Sequence, residues 1–159
     1  MQKLYSNIFV AIISCSLLLL TAIIINFNFE VNFNLENQDK LTSWIHSVII
    51  SEDRKEGEIN YIFCNDEYLH KLNVEFLDHD TLTDIISFDY TVGKELHGDI
   101  FISIDRVIDN ANDLDVDFVN ELHRVMIHGI LHYCGYKDKS REEKNIMRDK
   151  EDYYLKLLT

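Results

Sequence analysis

INFNFEVNFNL, residues Ile25–Leu35, alternates without a break: Phe27, Phe29, Val31, Phe33 and Leu35 take one side, Asn26, Asn28, Glu30, Asn32 and Asn34 the other. Period two marks a strand with one face on a core, so a sheet begins here. Leu41, Trp44, Ile45, Val48 and Ile49 then fall at helical spacing, and Asp39 to Ile50 reads as an amphipathic helix lying on that strand. A strand answered at once by a helix points to the α/β class.

The alternation continues downstream. After a charged turn, SEDRKEGE, the segment Ile59 to Cys64 (INYIFC) reads as a strand, and Asn65 is placed to cap a helix carrying Tyr68, Leu69 and Leu72. Glu75 to Thr83 has no clean period and reads as an irregular surface loop. DIISFDY and GDIFISI predict strands over Ile85–Tyr90 and Asp99–Ile104, joined through TVGKELHG by a hairpin or a wide loop. Asp105 can cap a helix from Arg106 to Asn112, and a longer helix runs from about Phe118 to Tyr133 or Cys134, ending near Gly135. Ser140 and Glu143 form an S-x-x-E capping box that opens a last helix with Ile146, Met147 and Leu155 among its apolar positions. The order β-α-β-α-β-β-α-α-α predicts one α/β (α+β) domain, a small mixed sheet packed with helices, over residues 26–159.

Upstream of the first strand, Ile8 to Ile25 is an uncharged run rich in Ile and Leu, preceded by Lys3. It is long enough for a membrane span or a signal segment. Residues 1–25 therefore read as a membrane anchor, a cleaved leader, or a non-native extension from a start codon set too far upstream. Membrane contact and a membrane-anchored location follow only from the first of these.

The chain has 159 residues and a formal charge of −13. Gripping a polyanion depends on Lys and Arg displacing counterions, so a surface wholly devoted to nucleic acid is excluded. Any RNA contact must come from a local basic patch or a metal. Cys15, Cys64 and Cys134 are odd in number and form no C-x-x-C pair, which fits reduced thiols in a cytoplasm.

The chemistry concentrates in HGILHYCGYKD, residues His128–Asp138. His128 and His132 stand one helical turn apart, so both rings project from one face and can meet one ion at about 2.0 to 2.1 Å. Gly135 lets the chain leave the helix with positive φ and swing Asp138 back toward that ion. Three protein ligands leave a fourth position for water, the arrangement of a catalytic zinc, and H-x3-H-x2-G-x2-D is the spacing of the extended zincin motif. Zincin peptidases place a Glu after the first His as general base, and here that position is Gly129, so a peptidase reading lacks its base. His79, His97 and His123 read as histidines outside the site, and Cys134 as a buried thiol on the far side of the helix.

HGILHYCGYKD resembles the H-G-x-L-H-x-x-G-Y-D-H signature of the YbeY endoribonucleases, also called ribosomal RNA maturation factors. TLTDIISFDY from Thr81 is similar to that family's P-T-D-V-L-S-F-P segment, and GDIFISIDRV from Gly98 to its G-D-I-x-I-S strand; the resemblance spans roughly Phe27 to Leu158. It implies a zincin-like site at a helix end, in a cleft between helices and sheet, with one Zn2+ per chain on His128, His132 and Asp138. It also implies Asp84 and Ser87 along the substrate cleft. The implied activity is single-strand-specific, metal-dependent RNA cleavage in 16S ribosomal RNA 3′-end maturation and late ribosome quality control. Ribosomal RNA, the small ribosomal subunit and a ribosomal protein that delivers the substrate are the implied partners. Two departures stand out: Asp138 replaces the third histidine, and Leu77 stands where the family has an arginine. Lys137, Lys139 or Arg141, beside the metal, are the candidates to supply the missing cation. The rival readings are a non-catalytic ribosome-associated zinc-binding factor and a membrane-tethered metallohydrolase.

Overall fold

The computed structural model describes residues 25–158. Four strands make one mixed sheet in the order β1-β2-β4-β3: β1 (Ile25–Phe29), β2 (Lys55–Cys64), β3 (Ile85–Asp89) and β4 (Glu95–Ser103). β1, β2 and β4 run parallel, and β3 closes one edge antiparallel to β4. The helices are α1 (Gln38–Ser51), α2 (Asp66–Leu77), α3 (Ile104–Leu114), α4 (Phe118–Tyr133) and α5 (Arg141–Leu158). The expected order of elements and the α/β class are both observed.

Alternation along the strands sorts the two faces of the sheet. Ile59, Tyr61 and Phe63 of β2 and Ile100 and Ile102 of β4 point into the main core, which α1, α4 and α5 close with Trp44, Ile45, Met126, Ile130 and Tyr154. Cys64, Ile86 and Phe101 point the other way, under Leu69 and Leu72 of α2. Tyr61 is buried outright and donates its hydroxyl to the Met126 carbonyl at 3.0 Å, which pins the middle of α4 over β2.

Several local expectations are corrected. β1 ends at Phe29, not Leu35; the chain bends after it, although Phe33 and Leu35 still pack on the core. Period two survives a bend because the apolar side chains can reach the same core from a turn. Ile25, the last residue of the apolar run, is the first residue of β1; the rest of that run lies outside the described residues. β2 starts at Lys55, inside the expected charged turn, and β4 starts at Glu95, inside the expected connection. Both extensions pair with each other at Lys55↔Glu95 and Glu56↔Leu96, so polar residues enter the ladder from the partner strand's register. α2 extends to Leu77, which shortens the expected loop. α3 is capped by Ser103, not Asp105: Ser103 Oγ accepts from the Arg106 N–H, and Asp105 instead accepts from the Asp66 N–H. Ile146 of α5 is exposed, and Tyr154 and Leu158 fill the core in its place.

Other caps match the sequence. Asn65 accepts from the Tyr68 N–H at 2.9 Å. Ser140 and Glu143 cap reciprocally, the Glu143 N–H donating to Ser140 Oγ and the Ser140 N–H to Glu143 Oε2. Among the described residues no helix is long and apolar enough to cross a membrane.

Candidate metal centre

α4 is the element that builds the site. Asp117 caps its start, accepting from the Val119 N–H, and a buried stripe from Leu122 to Tyr133 holds it on the sheet. Gly129 faces β3 and β4 at close range. A Cβ there would stand 3.0 Å from Ile100 Cδ1 and 3.1 Å from Ile85 Cδ1, so a glutamate base has no room after His128. At the far end, the Tyr133 hydroxyl lies 3.0 Å from the carbonyls of both Phe88 and Asp99, tying the helix end to the β3–β4 pair.

The 3.6-residue repeat brings His128 and His132 together, their Nε2 atoms 2.9 Å apart and their rings nearly perpendicular, edge to face. α4 then stops: Gly135 takes φ +103°, its N–H donates to the His132 carbonyl, and the Tyr136 N–H donates to that of Leu131. That reversal returns the chain, so that Asp138 Oδ2 lies 3.6 Å from His128 Nε2 and 3.7 Å from His132 Nε2. The three ligand-competent atoms all sit within 4.8 Å of one another.

Hydrogen-bond partners assign the tautomers. His132 Nδ1 faces the Tyr136 carbonyl at 3.0 Å, and a carbonyl only accepts, so Nδ1 carries the hydrogen. His128 Nδ1 donates likewise to the Glu151 carboxylate at 2.7 Å. In the neutral form of both rings, the Nε2 atoms then present lone pairs to the same point, beside a carboxylate oxygen. Such an arrangement is repulsive until a cation lies among the three atoms. Two imidazole nitrogens and one carboxylate oxygen suit zinc and neighbouring divalent metals. Burial, and next to it the adjacent His128, push the His132 pKa below its ordinary value, which favours the neutral ring that a metal needs.

Glu151 was not singled out from the sequence. It lies 23 positions beyond His128 and is 2% exposed, brought there by the packing of α5 on α4. Arg124 was also missed, although it stands four residues before His128 and hence on the same helical face. Its guanidinium bonds Glu121, with Asp84 Oδ2 and Glu151 Oε2 each 3.7 Å away. Asp84 thus joins the site's charge network through Arg124, and Asn110 donates to it at 3.0 Å. Ser87 pairs with Ile100 in the sheet, on the face that α4 covers.

The cavity reaching His128 and Asp138 has a volume of about 350 Å³ and is walled by α4 and α5, with Arg124, Lys144, Arg148 and Glu151 among its lining. Lys137, Lys139 and Arg141 are exposed and do not line this cavity. Leu77 ends α2, 44% exposed, on the side of the sheet opposite α4. His79 is exposed, and His97 contacts Glu95 and the Glu58 N–H. His123 packs against Trp44. Cys134 is buried, and burial pushes its thiol up to about 12, so it is an inert neighbour of the site.

Comparison with known proteins agrees with this architecture. A protein of Flavobacterium johnsoniae described as endoribonuclease YbeY is 66% identical over 128 residues, covering 80% of this chain and 92% of that protein. One of Flavobacterium psychrophilum with the same description is 59% identical over 133 residues, 84% of this chain and 95% of that protein. The solution structure of TM1509 from Thermotoga maritima superposes with a TM-score of 0.59 at 25% identity, covering 85% of this chain and 88% of that one. The family model described as endoribonuclease YbeY matches residues 24–159, and the chain belongs to the YbeY family.

Proposed function

We propose that this chain is a metal-dependent endoribonuclease that cuts single-stranded RNA, with one zinc per chain held by His128, His132 and Asp138. The observation that carries the reading is the convergence of two imidazole Nε2 atoms and a carboxylate oxygen on one point at the wall of an open cavity. The chemistry such a cation supplies when bound is Lewis-acid polarisation of water or of a phosphoryl oxygen. The protein's part is to hold the ligands. Glu151 and the Tyr136 carbonyl fix the two rings, and the Gly135 reversal delivers the carboxylate.

The physiological task in this reading is 3′-end maturation of 16S ribosomal RNA and late quality control of the ribosome, in the cytoplasm. Free, buried Cys64 and Cys134 accord with a reducing compartment. With a formal charge of −13, the chain needs its substrate delivered on the small ribosomal subunit, with a ribosomal protein as the docking partner. The second reading is a non-catalytic, ribosome-associated metal-binding factor. Exposed, uncharged Leu77, where the family carries an arginine, favours it.

The test is cleavage of matched single-stranded and duplex RNA by zinc-loaded protein. Cutting of the single strand alone, abolished by chelator and by His128→Ala, is expected. A wild type that never cuts, while His128→Ala still binds ribosomes, would establish the second reading instead.

A further inference from the structure

The groove between α4 and α5 gathers cations as well as metal ligands. Arg124, Lys144 and Arg148 line the same cavity as His128 and Asp138. Their pairing differs. Arg124 is largely enclosed and committed to Glu121, to which its Nε and Nη2 both donate. Arg148 is half exposed; its Nη1 lies 3.1 Å from Glu151 Oε2 but out of line for a hydrogen bond, and that oxygen has no hydrogen-bond partner. Lys144 is exposed and makes no ion pair among the described residues. Two cations with donors to spare therefore stand one turn apart on α5, on the face that looks across the groove at His128.

We infer that Lys144 and Arg148 form a phosphodiester-binding subsite that lays the backbone of single-stranded RNA along the groove beside the metal ligands. This rests on the endoribonuclease reading and gives it a substrate contact. A chain so acidic cannot attract RNA through its overall field, so affinity must come from local cations whose donors are open to a phosphate. Arg124 is largely enclosed and spends Nε and Nη2 on Glu121, and Leu77 offers no charge. Lys137, Lys139 and Arg141 make no ion pair among the described residues but stand outside the cavity. Lys144 and Arg148 combine free donors with a place in its wall. Arg148 keeps one side of its guanidinium toward Glu151, which orients it and leaves the remaining N–H groups for a phosphate.

The test is fluorescence anisotropy of a short, labelled, single-stranded 2′-O-methyl oligoribonucleotide with the full chain, in chelator and at low ionic strength, where binding is read without cleavage. Lys144→Glu and Arg148→Glu are each expected to weaken binding about tenfold. Each should also lower the slope of log affinity against log salt by about 0.7. Lys71→Glu on α2 makes the same change in net charge at an exposed position and is expected to weaken binding less than about twofold. Arg148→Gln guards against a folding defect in the reversed variant, and the Lys144 variant reads the subsite independently.

Absent wild-type binding, equal losses for Lys71→Glu, or losses confined to reversal of Lys137, Lys139 and Arg141 would overturn the inference. Metal-loaded protein that cuts RNA while the α5 variants bind normally would sink the subsite and leave the nuclease reading intact. Binding lost in the α5 variants, with no cleavage under any metal, would do the reverse.

Discussion

His128 aims Nε2 at the metal-binding point because its other nitrogen is held by a buried carboxylate. The Glu151–His128 contact of 2.7 Å fixes both ring orientation and tautomer, the role such carboxylates have behind metal-bound histidines. Glu151→Gln keeps the shape of the side chain and removes its charge. Zinc affinity, measured by competition with a chromophoric chelator, is expected to fall about 10- to 100-fold. Unchanged affinity would mean that Glu151 only fills space. This residue could not have been read from the sequence, because only the packing of two separate helices brings position 151 to position 128. His128, His132, Gly135 and Asp138 could be, since one helical turn and one reversal contain them all. Arg124 falls between these cases: its offset of four from His128 and of three from Glu121 was visible, but its other two carboxylate neighbours, Asp84 and Glu151, come from elsewhere in the chain.

α4 does two jobs along its length, and Gly129 is where they meet. Its side toward the sheet must lie close enough to Ile100 and Ile85 that no Cβ fits comfortably, so that its other side can present the histidines. Gly129→Ala is expected to destabilise the metal-free protein by about 1–3 kcal/mol through overpacking, despite the better helix propensity of alanine. Denaturant unfolding in chelator measures it. A gain in stability would show that α4 can lift from the sheet at no cost. Elements with a local cause were legible: α4 from its end near Gly135, α5 from Ser140 and Glu143, α2 from Asn65. Elements whose ends depend on a partner were not. β2 and β4 both begin earlier than their own residues suggest, because Lys55 and Glu95 complete each other's ladder. Ser103 displaced Asp105 as the cap of α3 because the end of β4 already places its hydroxyl at the helix start.

For the whole molecule, the sheet is a platform and the site is a seam. Three helices cover one face, and the seam between two of them carries both the ion ligands and the cations available to a phosphate. The opposite face lies under α2, whose last residue, Leu77, is exposed and uncharged. In the proposed reading, a negative chain organised in this way meets RNA through one groove. Everything in that account depends on an ion bound by two histidines and an aspartate. The most direct measurement is metal content by mass spectrometry on the purified full chain, beside Asp138→Ala. One zinc per chain in the native protein, lost or much weakened in the variant, is the predicted result. Native protein that takes up no metal when zinc is supplied, or an Asp138→Ala variant that holds it as tightly, would contradict the site at its centre.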